Sequence, residues 1–236
     1  MPDIIATDSG NLDDGGFNTT GGSSDSFSDL HNKTTANSWL NAFSGYSVGH
    51  GSNIIGSLKT FYRALLNFDL SGADAGTVES ATVKIYQAPD IGSGFFTRVA
   101  QTDEHFHLCK AQAGASFTTA DFNAMTGWVS SGTYDGNVTE YATKISQQGS
   151  AAWNTWTLNS TAISDINSAI GTSSVQMMIL TSQDFDDADY GTPYISGFLG
   201  IHGVFFNSAE ATNKPTLSIE YATAATDNAP FFGCNF

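Results

Sequence analysis

The sequence predicts an all-β protein, a single β-sandwich carrying one or two short helices. Three observations predict it. Apolar and polar residues alternate with a period of two in several runs, β-branched and aromatic residues gather in those runs, and Gly, Ser, Asn and Asp separate them at short intervals. The 236 residues are enough for one sizeable core, and sandwiches of this length commonly form one domain.

Residues 1–57 place Phe17, Phe27, Trp39, Phe43 and Tyr46 between turn signals such as Gly15-Gly16 and Gly21-Gly22. Disordered segments are poor in aromatics, so this part is expected to form loop-rich N-terminal strands packed on the sandwich. The sandwich core is expected over residues 58–221. From Thr60 the alternation is strict, with Phe61, Arg63, Leu65, Asn67 and Asp69 on one face and Tyr62, Ala64, Leu66, Phe68 and Leu70 on the other. The second set is the one expected to face a core. After turn residues at 69–76, a second strand runs over 77–87, with Ala81, Val83 and Ile85 on one face.

Residues 95–109 read as one or two strands. Residues 116–125 offer a threonine cap and apolar residues at helical spacing, which predicts a short helix. Residues 153–158 form a strand. Ser160 as a cap, Ala162, Ile163, Ile166 and Ile170 on one face and Gly171 as a stop predict a second short helix. The nearly continuous apolar run at 175–181 suits a buried strand, and 215–221 alternates Leu217, Ile219 and Tyr221 against polar partners to close the sandwich. The remaining arm, 222–236, ends in Phe231, Phe232 and Phe236, a patch that is costly to leave in water and is expected to contact another subunit or dock on the fold.

Lys and Arg number 8 against 23 Asp and Glu, a formal charge of −15. That field repels phosphate backbones and anionic headgroups and argues against nucleic acid or a membrane surface as partner. Charged residues make up 13 % of the chain, where about 25 % is usual, so the surface is rich in hydroxyls and amides. Such a surface suits a protein outside the cytoplasm that meets sugars or neighbouring subunits. The N-terminus is acidic where a secretory signal has a basic start and a long apolar run. Together these lead to the expectation of a virion protein released by lysis, with a mature secreted chain as the alternative. Spacing does not decide whether Cys109 and Cys234 pair, and free thiols are expected.

The densest acidic cluster is Asp184, Asp186, Asp187 and Asp189, where alternating carboxylates followed by Gly191 suit a hard cation such as Ca²⁺. Asp8, Asn11, Asp13 and Asp14 before Gly15-Gly16 form a second such group. Neither follows the twelve-residue calcium-loop pattern, and the plain alternative for both is a solvated acidic loop. His105 and His107 flank Phe106 and share a strand face with Asp103, a spacing open to metal binding as well as to a polar solvated face. Trp128, Tyr134, Trp153 and Tyr194 are candidates for stacking on sugar rings, or core residues. No grouping of nucleophile, base and acid can be recognised, so no enzyme is expected.

Three segments carry a resemblance: Arg63-Ala64-Leu65-Leu66-Asn67-Phe68-Asp69-Leu70, Ser80-Ala81-Thr82-Val83-Lys84-Ile85-Tyr86 and Lys214-Pro215-Thr216-Leu217-Ser218-Ile219-Glu220-Tyr221. In order and placement they resemble the DNRLRE-type carbohydrate-binding-module-like jelly roll, as found in tailed-phage structural proteins. The resemblance implies a jelly-roll topology and a sugar-binding role, without assigning that role to any single residue. The functional expectation is a non-enzymatic structural protein of a phage-like virion surface, either a capsid decoration or a fibre-type module. Its partners would be other virion subunits, as a homo-oligomer, and cell-surface glycans, with structural Ca²⁺ as its one cofactor. The alternative is a carbohydrate-binding module of a secreted polysaccharide-degrading enzyme.

Overall fold

The computed structural model describes residues 3–5, 15–21, 27–41, 46–52, 59–86, 105–114, 117–128, 138–146, 152–186, 197–203 and 215–222. In chain order these form β1 (Asp3–Ile5), β2 (Gly15–Gly21), α1 (Phe27–His31), β3 (Ser38–Asn41), β4 (Tyr46–Ser52), β5 (Lys59–Asp69), β6 (Val78–Tyr86) and β7 (His105–Lys110). A 3₁₀ turn (Thr119–Asn123) follows, then β8 (Ile145–Ser146), β9 (Trp153–Thr157), α2 (Ser160–Ala169), β10 (Ser174–Thr181), α3 (Ser182–Phe185), β11 (Gly197–Gly203) and β12 (Thr216–Tyr221).

All described strand pairs are antiparallel, in two sheets. The smaller has the order β1-β12-β6-β9, and the larger runs β11-β4-β5-β10-β7-β8, with β2 and β3 joined to it through β5. The long strand β5 serves several neighbours, pairing β2 along Lys59–Leu65, β4 along Thr60–Tyr62 and β10 along Ala64–Asp69. The protein is an all-β sandwich, as the period-two runs predict.

Between the sheets lies an apolar core. Ala64, Leu66, Phe68 and Leu70 from the predicted core face of β5 meet Ala81, Val83 and Ile85 of β6, Phe106 and Leu108 of β7, Trp156 of β9, Val175, Met177 and Ile179 of β10, and Leu217 and Ile219 of β12. Each large side chain buried this way contributes roughly 1.5–3 kcal/mol relative to exposure. Helix α2 lies against β6 and β10, one strand from each sheet, and adds Ala162, Ile166 and Ala169.

The opposite face of the large sheet is covered as well. Leu65, Cys109, Met178 and Leu180 point there and pack with Leu30 of α1, Phe122 and Met125 around the 3₁₀ turn, and Phe185 of α3. This second layer explains why β10 reads as an unbroken apolar run, since both its faces are buried. It also places Arg63, Leu65 and Asn67, the face of β5 opposite the predicted core, in the interior.

Two local readings are corrected by the structure. The helix predicted over 116–125 is a five-residue 3₁₀ turn, closed by a Thr118–Asp121 capping box. It stops because Met125 bridges to Ala111 and the Gln112 amide donates to the Ala124 carbonyl, which draws the chain back to the sheet. Helix α2 is capped by Asn159 in place of Ser160, its side-chain oxygen accepting from the Ala162 amide. It ends at Gly171, whose φ of +72° is readily adopted only without a Cβ.

Candidate functional site

Strand β10 passes directly into the single turn of α3, where the Thr181 hydroxyl caps the Asp184 amide. This turn hangs three side chains over the outer face of the large sheet. Asp184 reaches one polar assembly, while Ser182 and Phe185 reach another.

The first assembly is centred on Arg63, which is fully buried. Its Nε donates to Asp184 Oδ2 at 2.6 Å and its Nη2 to Oδ1 at 2.7 Å, a bidentate pair. Nη1 donates to the Phe122 carbonyl at 2.8 Å and to Asn123 Oδ1 at 2.5 Å. The guanidinium lies 3.8 Å from the Phe122 ring centroid and 4.5 Å from that of Trp128, so cation–π attraction supplements the ion pair. His31 Nδ1 stands 3.0 Å from Asp184 Oδ1. Burial alone would raise the Asp184 pKa, but the charge and hydrogen bonds of Arg63, with His31, outweigh it and hold the carboxyl well below its usual range. Asn123 also donates to the Lys33 carbonyl at 2.8 Å. The assembly thus ties α1, β5, the 3₁₀ turn and α3 together.

The second assembly is centred on His107 of β7. Its Nδ1 lies 2.7 Å from Glu140 Oε1, its Nε2 lies 3.0 Å from Ser182 Oγ, and its ring stacks on Phe185 at 3.9 Å and 8°. Desolvation lowers its pKa, and the Glu140 carboxylate only partly offsets this. The neutral ring therefore donates from Nδ1 to Glu140 and accepts from the Ser182 hydroxyl at Nε2.

Ser182, His107 and Glu140 have the connectivity of an acyl-transfer triad with the exposure reversed. In such triads the serine faces substrate and the acid is buried. Here Ser182 is 3 % exposed and the Glu140 side chain 38 %. The serine supports the histidine from within, and the carboxylate is presented outward.

It is presented into a cavity of about 470 Å³ lined by His107, Glu140, Thr143, Lys144, Asn159 and Asp186, with Ala142 and Phe185 as its apolar parts. Glu140 is held there by its backbone as well. The Thr139 and Leu108 carbonyls accept from the Lys110 and Tyr141 amides, Glu140 bridges to Cys109, and its carbonyl accepts from Asn159 Nδ2 at 2.8 Å.

The chain matches no protein-family model and no curated protein. The DNRLRE-type resemblance therefore rests on its three segments, which fall on β5, β6 and β12.

The predicted site residues separate in the fold. Of the acidic cluster, Asp184 has both carboxylate oxygens engaged by Arg63 and His31, while Asp186 lines the cavity. Asp187 and Asp189 lie outside the described residues, as do Asp8, Asn11, Asp13, Asp14, Asp103 and the arm residues Phe231, Phe232 and Phe236. Among the described residues no three His, Cys, Asp or Glu side chains converge on a point fit for a metal ion. His107 already uses both ring nitrogens. Trp128 packs on Arg63 and His31, whereas Trp153 stands on the outer side of β9 against Tyr86, with the Lys84 ammonium 5.2 Å from its ring centroid. Tyr134 and Tyr194 are outside the described residues, as is Cys234, and Cys109 is a buried free thiol.

Sequence reasoning missed Arg63, His31, Glu140 and Ser182. Only Arg63 carries a signal of its own, being one of just 8 basic residues and yet standing in an apolar strand.

Proposed function

We propose that the protein is a non-enzymatic structural module of a phage-like virion surface, a capsid decoration or fibre-type protein built on a carbohydrate-binding-like jelly roll. The observation that supports this reading is the inward commitment, among the described residues, of the polar side chains around α3. Arg63, Asp184, His107 and Ser182 brace the covering layer of the sheet, and Ser182 is sealed from solvent. A hydroxyl-rich exterior sparse in charged residues suits lateral packing and adhesion. Its partners in this reading are copies of itself, other virion subunits and cell-surface glycans. The arm with Phe231, Phe232 and Phe236 provides the subunit contact. Structural Ca²⁺ in this reading draws on the acidic cluster Asp184, Asp186, Asp187 and Asp189, of which Asp184 is also held by Arg63.

The test is the solution mass by light scattering, with and without residues 223–236 and with and without Ca²⁺. An oligomer that dissociates on truncation and on chelation agrees with the reading. A monomer indifferent to both overturns it in favour of the second reading, a carbohydrate-binding module of a secreted polysaccharide-degrading enzyme. The cavity beside Glu140 favours that alternative.

A further inference from the structure

The outward face of the small sheet carries an apolar corner. Tyr86 and Trp153 are cross-strand partners on β6 and β9, an edge-to-face pair with ring centroids 5.2 Å apart, and the Lys84 ammonium lies 5.2 Å from the Trp153 centroid. All three side chains are half-buried, and Thr155 beside them is exposed. Their inward neighbours Val83, Ile85 and Trp156 already fill the core, so the corner is not needed to close the sandwich. Its charge also runs against that of the chain. Among the outward side chains of β6 and β9 from Thr82 to Tyr86 and from Trp153 to Thr157, only Lys84 is charged, in a protein of formal charge −15.

Aromatic rings beside a cation suit an occupant that is itself aromatic and acidic. The arm 222–236 has that composition, with Asp227 shortly before Phe231 and Phe232. It leaves the sheet in a direction that keeps it from its own corner. The Ala222 amide donates to the Thr77 carbonyl, so the chain continues in line with β12 past the Val78 end of β6. Tyr86 and Trp153 sit at the opposite end of that nine-residue strand, roughly 27 Å away at a strand's rise per residue. Thr223, Ala224, Ala225 and Thr226 include no turn former, and the first is Asp227-Asn228, followed by Pro230. A reversal there brings Phe231 and Phe232 back by roughly 15 Å at most, short of Trp153 in the same chain. The corner of a second copy is under no such limit. Buried aromatic side chains contribute about 150–250 Å² each. Two arms exchanged reciprocally, with the surfaces they cover, therefore reach the roughly 1,200–2,000 Å² of a specific interface, and such an exchange closes at two copies.

We infer that the corner formed by Tyr86, Trp153 and Lys84 is the seat for the C-terminal arm of a second copy of this chain, with Phe231 and Phe232 packing on Trp153 and Asp227 pairing with Lys84. The inference rests on the subunit contact of the proposed function and adds the surface that receives it.

The test is light scattering of the whole chain and its variants over a dilution series, with thermal melts to verify folding. Trp153→Ser on the seat, and the pair Phe231→Ser and Phe232→Ser on the arm, should each weaken self-association by about tenfold or more. An equimolar mixture of the two should associate more tightly than either alone, because one copy keeps its arm and the other its seat. Lys84→Glu should weaken association as well, and adding Asp227→Lys should restore it. Should a serine variant fail to fold, this charge exchange decides, and no restoration by Asp227→Lys overturns the seat. An oligomer that is lost with the arm variant yet ignores both Trp153→Ser and Lys84→Glu overturns the seat and leaves the subunit contact standing. An unaltered chain that stays monomeric at every concentration overturns both.

Discussion

The two faces of the large sheet are both closed, by opposite means. Toward the small sheet, β5, β7 and β10 present Leu66, Phe68, Phe106, Met177 and Ile179, and the layer is apolar throughout. On the other side the same strands present Arg63 and His107 beside Leu65 and Met178, under a cover of α1, the 3₁₀ turn and α3. An apolar layer tolerates a change of shape if volume is conserved. A layer organised around a desolvated charge does not, because removing one partner strands the other without solvent.

Placing the same residue on each face separates the two cases. Leu66→Met should destabilise by less than about 1.5 kcal/mol. Arg63→Met should destabilise by about 3–5 kcal/mol, because Asp184 is left buried and unpaired. Adding Asp184→Leu to Arg63→Met should recover most of that loss. Urea unfolding of the three variants measures all of this, and equal small effects at positions 63 and 66 would erase the distinction between the faces.

Acid should act on the outer face through His107 and Asp184. His107 has a lowered pKa in the fold, so the unfolded chain takes up the proton first. The stability it contributes is complete above its ordinary value of 6.5 and declines as the pH falls below it. Asp184 is lowered from 3.8, so its contribution is complete above that value and is lost as the pH falls further. The melting temperature should therefore drop in two stages on acidification. His107→Gln should remove the upper stage, and the Arg63→Met, Asp184→Leu pair should shrink the lower, to which Asp69 and Asp165, also lowered from 3.8, contribute elsewhere in the fold. A single drop confined below 3.8 would show that His107 does not couple to folding.

The smallest effect belongs to neither face. Gly171→Ala forces a Cβ into the left-handed region at the end of α2, where nothing crowds the site, and should destabilise by about 1 kcal/mol in the same unfolding measurement.

The inner face was legible in the sequence and the outer was not, for one reason. Period two reports which residues share a face, and apolar residues on that face report burial, so Ala64, Leu66, Phe68, Val83, Ile85, Leu217 and Ile219 could be assigned directly. Arg63 and Asn67 obey the same period yet look like a solvent face. Nothing local reveals that α1 and the segment around Phe122 lie over them. The candidate site is hidden for the same reason, since His107 is 33 residues from Glu140 and 75 from Ser182. Asp184 reads in sequence as one member of an acidic run, and only the fold shows that its oxygens turn inward to Arg63 and His31.

The wide spacing of the Arg63 partners bears on the order of assembly. The guanidinium draws on groups 32, 59 and 121 residues away along the chain, so the cluster forms only after α1, the 3₁₀ turn and α3 have reached β5. Contacts that close such long loops tend to form after the folding barrier and then act on the rate of escape from the native state. In a chevron experiment Arg63→Met should therefore steepen the loss chiefly through faster unfolding, with the folding limb little changed. The lifetime of the folded state would then depend more on this single buried cation than on the larger apolar layer beneath it.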